Sequence, residues 1–348
     1  MAEGIPVAVI GTGWWATTHH LPALAADSRV RLVAVCDREV DRARVVAERF
    51  GVPAWYSSVD ELLAAGDVAA AVVAVSSSAH HDIVAQLLEA GAHVLVEKPI
   101  ATTAADAYEL VRLAQEHRRE LVVGYTSQFA PAALAVRDWV RNELGELVTV
   151  SVEFTSNMVR LFDDTGDPDD PGRPHPSSYR SDTGGGQALT QLTHAVGMVA
   201  WVTGRRFEQT AAQVSARGLE VDLVDSVAFR LEGDVLGVAM SSGAIPAGLP
   251  SRQVVRYTGT AGMVEQDLKA GTARLFLPDG AERVAAPDSD QPGYPTHRPA
   301  EYLIDVVDGA ANVCGEPMPA AHAAAFIAAV YRAAETGRWE SVPGAGAE

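Results

Sequence analysis

The chain has 348 residues, of which 48% are apolar, and its formal net charge is −18. Nucleic acids and anionic membranes attract basic proteins, so this charge argues against either as a partner. The chain lacks both the run of about 20 apolar residues that spans a membrane and the basic start of a secretion signal, so we expect a cytoplasmic protein. The cysteines are two and far apart, and no cluster of His, Cys, Asp or Glu has the spacing of metal ligands, so we expect no metal.

The first predicted strand, from Ile5 to Ile10, runs directly into the sequence Gly-Thr-Gly-Trp-Trp-Ala. In this succession of strand, glycine turn and helix, Gly11 permits a tight turn and Gly13 lets the backbone approach a pyrophosphate. Ala16 is small enough for the helix to pack close to the strand. Free N–H groups at the start of that helix favour phosphate, so the segment predicts a dinucleotide site.

The second apolar strand, from Leu32 to Cys36, ends at Asp37, about 20 residues beyond the glycine turn, where dinucleotide-binding folds carry a ribose-binding carboxylate. Asp37 would accept hydrogen bonds from the ribose hydroxyls and repel a 2′-phosphate, which favours NAD. Arg38 leaves NADP open, because a guanidinium beside the ribose can hold the extra phosphate. The alternative interpretation of Asp37 is a cap for the helix predicted from Arg38 to Phe50.

Apolar strands and helices continue to alternate as far as Tyr125, which predicts an α/β domain with a parallel, doubly wound Rossmann sheet. Ligands of such sheets bind beyond the carboxyl ends of the strands, so we expect the strand-end residues to surround one cleft. These residues are Gly11, Asp37, Ser76, Glu97, Lys98 and Tyr125. The candidates for binding the cofactor are Gly11, Thr12, Gly13, Trp14, Trp15, Asp37, Arg38, Ser76, Ser77, His81, Glu97 and Lys98. His19 and His20 are expected on the surface of the first helix.

Lys98 follows the strand from His93 to Val96 and is one of only two lysines in a chain that otherwise uses arginine for positive charge. Arginine keeps its proton, whereas the pKa of a lysine ammonium can be lowered until the group exchanges a proton during chemistry. The alternative interpretation is a strand end closed by the turn at Pro99. Lys269, the other lysine, is expected at the surface.

Beyond residue 129 the pattern changes to alternating apolar and polar residues, which is typical of strands with one exposed face. Such strands are predicted over Leu147–Phe154, Gln209–Ala216, Asp222–Leu231, Val235–Ser241 and Arg252–Thr258, and helices over Pro131–Leu144, Gly186–Val202, Pro299–Gly309 and Ala320–Thr336. We therefore expect a dinucleotide-binding domain over residues 1–125 and a substrate-binding α+β domain with a mostly antiparallel sheet over residues 126–348.

Several segments together resemble one family. They are GTGWWA from residue 11, HVLVEKP from 93, GYTSQFAP from 124, YRSDTGGGQALTQLTHAV from 179 and AAVYRAAETGRWESV from 328. The family is that of glucose-fructose oxidoreductase, inositol dehydrogenase and rhizopine-catabolism proteins, written Gfo/Idh/MocA, and the likeness spans nearly the whole chain. It implies a Rossmann domain followed by a domain with a large, open-faced sheet. It also implies NAD(P)-dependent oxidation or reduction of sugars, cyclitols or related small molecules.

Carried over residue by residue, the resemblance implies that Lys98 is the active-site lysine near the nicotinamide and the reacting hydroxyl. It likewise implies that His194 is the histidine that follows the glycine run. Inositol-dehydrogenase-like members carry an aspartate where this chain has Thr190, one helical turn before His194. Gln191 is a candidate to replace part of that polar site. The replacement of the aspartate by Thr190 affects the predicted substrate more than the predicted class of reaction.

In the mechanism suggested by these residues, a secondary alcohol or ketone of a sugar, aminosugar or cyclitol exchanges a hydride with the nicotinamide. Lys98 polarises the reacting oxygen, and His194 acts as the acid or base. The candidates for contacting the substrate are Lys98, Tyr125, Arg180, Asp182, Thr190, Gln191 and His194. Two alternatives stay open: a keto-sugar reductase that acts on a nucleotide-linked or glycosidic sugar, and a cofactor-binding sensor without catalysis.

Two further expectations concern surfaces. The acidic, turn-rich segment from Asp163 to Pro171 is interpreted as a solvated loop, and the alternative is a mobile lid that attracts an amine-bearing substrate. Members of the family often oligomerise through the open sheet, and an uncovered antiparallel face would expose apolar area, so we expect a homodimer or homotetramer formed through this sheet.

Overall fold

The computed structural model describes residues 4–157, 180–246, 248–288 and 293–346. The acidic segment from Asp163 to Pro171, interpreted above as a loop or a lid, lies outside these residues. Within them the chain builds two sheets, one parallel and one mostly antiparallel.

The first sheet is formed by the N-terminal third of the chain. Its strands are β1 (Ile5–Ile10), β2 (Val30–Cys36), β3 (Ala54–Tyr56), β4 (Ala70–Val73), β5 (His93–Val96) and β6 (Leu121–Val123). Their spatial order is β3-β2-β1-β4-β5-β6, and all neighbours are parallel. This is the strand order of a doubly wound Rossmann sheet, so the predicted fold of the first half is confirmed.

Helices connect these strands and cover the faces of the sheet. They are α1 (Leu21–Ala26), α2 (Val40–Phe50), α3 (Val59–Ala65), α4 (His80–Glu89) and α5 (Ala104–Glu116). Ser58 and Thr103 fix the starts of α3 and α5, because their hydroxyl oxygens accept hydrogen bonds from backbone N–H groups three residues later.

The second sheet is formed by the rest of the chain. Its strands are β7 (Leu147–Thr155), β8 (Phe207–Ser215), β9 (Val224–Leu231), β10 (Val235–Ser242), β11 (Arg252–Gly259), β12 (Met263–Asp267), β13 (Thr272–Phe276), β14 (Glu282–Ala285) and β15 (Glu340–Ser341). The spatial order is β14-β13-β12-β11-β7-β10-β9-β8-β15, and all neighbours are antiparallel except β7 and β10. The predicted sheet is confirmed. Strands β12, β13 and β14 were missed because four or five residues are too few for a clear alternation.

Helices from the second half pack on both sheets. They are α6 (Pro131–Asn142), α7 (Thr193–Thr203), α8 (Arg298–Val307) and α9 (Pro317–Thr336). Helices α6, α7 and α9 cover one face of the second sheet, where Trp201, Phe229 and Phe326 are buried. Helix α8 packs on the first sheet instead, since Ala300 and Leu303 share a core cluster with residues of β1 and β5. The domain boundary at residue 125 stays a prediction.

None of the helices in the described residues combines the length and apolar character needed to cross a bilayer.

The close packing of β9 and β10 generates a first prediction. Gly237 faces Phe229 across the two strands, and a Cβ on Gly237 would overlap the Phe229 ring, which packs against Phe207 and Phe326. For Gly237→Ala we expect the free energy of unfolding in urea to fall by about 1–3 kcal/mol, the usual effect of overpacking. Gln115→Ala, at an exposed position of α5 away from the second sheet, is the control and should change it by less than about 0.5 kcal/mol. An unchanged unfolding midpoint for Gly237→Ala would contradict this description of the core.

Candidate active site

The glycine turn after β1 has the geometry that a dinucleotide pyrophosphate requires. Gly11 has a left-handed backbone with φ of +88°, and a Cβ there would overlap the carbonyl oxygen of Ala74, so only glycine fits. Gly13 is exposed, and among the described residues only its immediate neighbours in the chain approach the place that its Cβ would take. The backbone at Gly13 is therefore open to a phosphate at the start of the helix that follows.

Asp37 lies at the end of β2 beside this turn and is buried. Its carboxylate accepts five hydrogen bonds, from Thr12 N and Oγ1 at 2.8 Å each, from Glu39 N at 3.0 Å, and from Arg42 Nη2 and Nε at 2.6 and 3.2 Å. Burial alone would raise the pKa of Asp37, but the hydrogen bonds from Arg42 and from the Thr12 and Glu39 backbone lower it. The carboxylate is thus ionised and already well supplied with donors.

Arg42, which was not among the predicted cofactor residues, is the arginine that pairs with Asp37. Arg38 lies one residue along the chain from Asp37, but its side chain is exposed, and its charge acts on Asp182. The Arg42 side chain is 46% exposed, so it can move into solvent when ribose hydroxyls approach Asp37. The expectation that NADP is admitted through Arg38 stays a prediction, and Arg42 is a second guanidinium within reach of the same carboxylate.

Glu97, at the end of β5, is the centre of a buried polar cluster. Its Oε1 accepts hydrogen bonds from Trp15 Nε1 at 2.7 Å and from His20 Nε2 at 2.8 Å, and its Oε2 accepts one from Lys98 N at 3.3 Å. Burial would raise the pKa of Glu97, but the hydrogen bond and charge of His20, the charge of Lys98 and the Trp15 bond lower it. Glu97 is therefore an ionised carboxylate inside the protein.

The expectation that His20 lies on the helix surface was wrong, because His20 is fully buried against Glu97, whereas His19 is partly exposed. The cause is a π-turn over Ala16–His20. A π-turn closes hydrogen bonds between residues five apart, so residues five apart come to the same side of the helix. Trp15 and His20 are five apart, and both reach the same carboxylate oxygen. A search for the usual spacing of three or four residues misses this pair.

Lys98 joins the first sheet to the helix that carries the other predicted catalytic residue. Its Nζ donates a hydrogen bond to the carbonyl oxygen of Thr190 at 2.7 Å. Burial lowers the pKa of the Lys98 ammonium, and the neighbouring Glu97 charge opposes this. The side chain is thus an amine in a desolvated position, held by a carbonyl on one side and an anion on the other.

Thr190 lies in a second π-turn, over Ala188–Leu192, directly before α7. A π-turn shifts the helical hydrogen-bond ladder by one residue and frequently occurs at functional sites. The Thr190 hydroxyl donates to Gly186 O at 2.7 Å, so its side chain is turned back along the helix while its carbonyl holds Lys98. Gln191 is buried in the same turn.

His194, on the first turn of α7, is buried among aromatic rings. Its imidazole stacks on Phe154 with ring centroids 6.0 Å apart and planes 6° apart, and the rings of Tyr125 and Tyr294 meet it edge-on at 6.2 and 6.5 Å. Burial and the charge of Lys98 hold the pKa of His194 well below its ordinary value. The imidazole is therefore neutral near pH 7. Phe154 and Tyr294 were not among the predicted site residues, since no motif surrounds either.

Tyr125 ties the end of β6 to α7. Its hydroxyl lies 2.8 Å from Thr193 Oγ1, and Gly197 allows the approach, because a Cβ there would lie 2.7 Å from the Tyr125 ring. Burial raises the pKa of Tyr125 far above its ordinary value, so the phenol stays protonated at neutral pH. The structure thus brings the strand-end residues Glu97, Lys98 and Tyr125 together with Thr190 and His194, which the family resemblance suggested.

Other candidates lie farther along the cleft. Arg180 and Asp182 pair with each other at 2.8 Å and are exposed, and Asp182 O accepts a 3.5 Å hydrogen bond from Ser78 Oγ. A Cβ on Gly184 would lie 3.2 Å from Ser77 Cβ, so this turn neighbours the segment after β4 that Ser76 and Ser77 begin. Asp182 thus contacts Ser78, the neighbour of the predicted cofactor residue Ser77, and the assignment of Arg180 and Asp182 to the substrate stays a prediction.

His81 and Trp14 complete the predicted set. Both ring nitrogens of His81 pair with acidic side chains on α4 and α5, Asp82 at 2.8 Å and Glu109 at 3.1 Å. The structure therefore does not bring His81 into the cluster around Glu97. Trp14 packs edge-on against Trp15, with ring centroids 5.6 Å apart, at the start of the first helix. The described residues hold no group of three His, Cys, Asp or Glu side chains that could bind a metal ion.

Two buried acids, Asp222 and Asp225, lie behind the second π-turn. Asp222 Oδ2 accepts a hydrogen bond from Ala188 N at 2.7 Å, and Oδ1 accepts one from Tyr331 OH at 2.9 Å. Asp225 is completely buried. Burial and the neighbouring Asp222 carboxylate raise the pKa of Asp225 to about 9, so Asp225 is protonated at neutral pH.

The raised pKa of Asp225 predicts a slope in stability against pH. An unfolded aspartate has a pKa of about 3.9, so between roughly pH 4 and 9 the folded state holds a proton that the unfolded state has lost. This contribution lowers the stability of the fold as pH rises through that window. Asparagine does not titrate, so the melting temperature of Asp225→Asn, measured relative to the parent protein, should rise between pH 5 and pH 8. A difference in melting temperature that stays constant over this range would contradict the protonated state of Asp225.

The site has four features: a glycine turn open to phosphate, a strand-end carboxylate, a desolvated lysine and a neutral histidine near that lysine. Together they are typical of dinucleotide-dependent oxidoreductases. Comparison with protein families gives the same class. The chain matches the oxidoreductase family model with an NAD-binding Rossmann fold over residues 5–125, and the GFO/IDH/MocA C-terminal domain model over residues 133–265. The chain belongs to the Gfo/Idh/MocA family and is an NAD-binding oxidoreductase.

Individual relatives agree with this assignment. The chain is 29% identical to dTDP-3,4-didehydro-2,6-dideoxy-alpha-D-glucose 3-reductase of Streptomyces violaceoruber, over 83% of this chain and 82% of that protein. It is 25% identical to trans-1,2-dihydrobenzene-1,2-diol dehydrogenase of Xenopus tropicalis, over 73% of this chain and 72% of that protein. The crystal structure of GenD2 from gentamicin A biosynthesis, in complex with NAD, is similar with a TM-score of 0.78 and 27% identity, over 99% of this chain and 98% of that one.

Proposed function

We propose that the protein transfers a hydride between NAD and a CH–OH or C=O group of a sugar, aminosugar or cyclitol, with Lys98 and His194 acting on the reacting oxygen. One observation carries this proposal, the 2.7 Å hydrogen bond from Lys98 Nζ to Thr190 O. It brings the lysine at the end of β5 to the helix that bears His194. The lysine and a neutral imidazole thereby both lie near the carboxyl edge of the first sheet, where ligands of such sheets bind.

The residues at this edge fit NAD. Gly11 and Gly13 would hold the pyrophosphate at the helix start, and Asp37 would accept the ribose hydroxyls once Arg42 moves aside. When bound, the nicotinamide accepts or donates the hydride. Everything else in the reaction is assigned to side chains of the protein.

The role of Lys98 is to stabilise charge on the reacting oxygen. During oxidation an alcohol oxygen becomes more negative as its proton and the hydride leave, and a preorganised ammonium in a desolvated site stabilises that charge strongly. The buried, ionised Glu97 favours the protonated form of Lys98, because its charge opposes the lowering of the Lys98 pKa by burial. Thr190 O fixes the direction of the ammonium group.

The role of His194 is to receive the hydroxyl proton. Because its pKa is held well below the ordinary value, the ring is neutral and free to accept a proton near pH 7. The proton moves from the substrate hydroxyl to the imidazole, and in reduction the same ring returns it. Stacking on Phe154 fixes the plane of the ring.

The substrate class rests on the relatives. One relative is named as a 3-reductase of a dTDP-linked keto-sugar, and a structural neighbour comes from gentamicin biosynthesis. These names support a carbohydrate as the substrate of this protein. The name of the 3-reductase also favours a second candidate function, the reduction of a keto-sugar linked to a nucleotide. A panel of free and nucleotide-linked sugars, aminosugars, cyclitols and their keto forms, followed by dinucleotide absorbance, distinguishes the two. The cytoplasmic location stays a prediction.

The role of Lys98 is tested by comparing the two lysines of the chain. Lys98→Met should lower kcat by at least about 100-fold, the usual effect of removing a charge-stabilising donor. Lys269→Met is the matched control, because Lys269 is exposed, its Nζ only reaches Ser251 Oγ at 3.5 Å, and kcat should not change. Both are measured with the best substrate of the panel at saturating NAD. Turnover of Lys98→Met within a few-fold of the parent would show that the lysine has been assigned wrongly.

We also propose that a second copy of the chain covers the open face of the second sheet. The face carries a strip of apolar side chains along β10, with Leu236, Val238 and Met240 exposed to 51, 56 and 50%. Val238 has the small residues Ser151 and Ala228 beside it, so a second copy can approach the centre of the strip closely. Leu236 and Met240 have the charged residues Arg230 and Glu153 beside them. A strip of this kind is unfavourable in water and favours self-association.

Placing a charge at the centre of the strip tests this interface. Val238→Glu should shift the mass measured by light scattering after size-exclusion chromatography toward the monomer, because a buried, unpaired carboxylate is costly. Val45→Glu, at a 54% exposed position on α2, is the control and should leave the mass unchanged. An oligomer of Val238→Glu with the mass of the parent would argue that another surface holds the copies together.

A further inference from the structure

The π-turn that holds Lys98 is itself fixed from behind by Asp222 and Tyr331. The first free N–H groups of a helix need acceptors. Here Ala188 N donates to Asp222 Oδ2 at 2.7 Å, and Leu189 N donates to Tyr331 OH at 3.2 Å. Tyr331 in turn donates to Asp222 Oδ1 at 2.9 Å. The start of the turn is thus bound to the segment before β9 and to α9 at once.

The glycine run before the turn makes this contact possible. Gly186 has φ of +131°, and a Cβ on it would overlap both Asp222 Oδ1 and Tyr331 OH. Gln187 N also donates to the Asp222 carbonyl oxygen at 3.0 Å. Backbone and side chain of Asp222 therefore hold two successive residues, 187 and 188.

The connection to the active site is only two residues long. Ala188 is bound by Asp222, and the carbonyl oxygen of Thr190 accepts the hydrogen bond from Lys98 Nζ. All residues of the turn are buried. Closely packed interiors transmit displacements, so a movement of Ala188 also displaces the Thr190 carbonyl. A carbonyl that shifts by a fraction of an ångström carries the ammonium group with it.

From these contacts we infer that Asp222 is a positioning residue for Lys98, fixing the carbonyl oxygen that directs the lysine ammonium toward the reacting oxygen. The inference rests on the proposed function, in which Lys98 acts on that oxygen. Asp222 touches neither Lys98 nor His194 in the contacts described above, and it acts through the π-turn alone. A plain helix-capping role would affect stability and leave Lys98 unchanged.

The two lysines of the chain allow this to be measured without turnover. Protein labelled with ¹³C at lysine Cε gives two side-chain signals, from Lys98 and from Lys269, and Lys98→Met assigns them. The variants are Asp222→Ala, which removes the acceptors, and Asp222→Asn, which retains one acceptor for Ala188 N. Thr210→Val is the matched control: it removes the buried hydrogen bond from Thr210 Oγ1 to Ala228 O at 3.1 Å within the second sheet, away from the turn.

We expect the Lys98 signal to move in Asp222→Ala, to stay near its original position in Asp222→Asn, and to be unchanged in Thr210→Val, while the Lys269 signal does not move in any of them. The kcat of Asp222→Ala should fall about tenfold or more, with NAD affinity within twofold of the parent, because misplacing a catalytic group by a fraction of an ångström impairs the reaction and not cofactor binding. Restoration of kcat by Asp222→Asn separates positioning from a loss of fold.

A Lys98 signal in folded Asp222→Ala that coincides with that of the parent would overturn the inference. If Asp222→Ala does not fold, Tyr331→Phe is measured in its place, since it removes the hydroxyl shared by Asp222 and Leu189 N, and the same movement of the Lys98 signal is required. Failure of the proposed function gives a different result, in which the Lys98 signal moves but Lys98→Met retains turnover.

Discussion

A carboxylate buried at the end of a parallel strand must be surrounded by donors and positive charge, and in this protein that carboxylate is Glu97. Its ionisation inside the first domain is sustained by His20, Trp15 and the adjacent Lys98. These partners come from two separate parts of the chain, the helix after the glycine turn and the end of β5. The same contacts therefore fix the turn that would hold the pyrophosphate and the lysine that would meet the substrate.

Lys98 extends this cluster into the second domain. Its ammonium group lies between the Glu97 charge and the Thr190 carbonyl, and its own charge contributes to keeping His194 neutral. The acid–base properties of the two proposed catalytic residues are thus coupled: the Glu97 charge opposes the lowering of the Lys98 pKa by burial, and the Lys98 charge helps to lower the pKa of His194. Two π-turns, one carrying His20 and one carrying Thr190, make the geometry possible.

The parts of this arrangement that depend on local pattern could be predicted from the sequence. Gly11, Asp37 and Lys98 each lie where an apolar strand ends. Parallel strands bring such ends to one edge of the sheet, so the pattern of strands predicts that these residues line one cleft. His20 could not be found in this way, because its burial depends on a π-turn and the sequence carries no reliable signal for that turn. Asp222 lies far from the turn that it fixes, and only the folded sheet brings the two together.

The family and the fold establish an NAD-binding oxidoreductase, and the central claim beyond them is that Lys98 and His194 face the nicotinamide. A crystal structure with NAD bound tests it most directly. The account predicts a pyrophosphate against the Gly11–Gly13 turn, ribose hydroxyls on Asp37 with Arg42 displaced, and the nicotinamide ring beside Lys98 Nζ and the His194 imidazole. A nicotinamide ring that lies away from both side chains, with the dinucleotide otherwise fully bound, would contradict it.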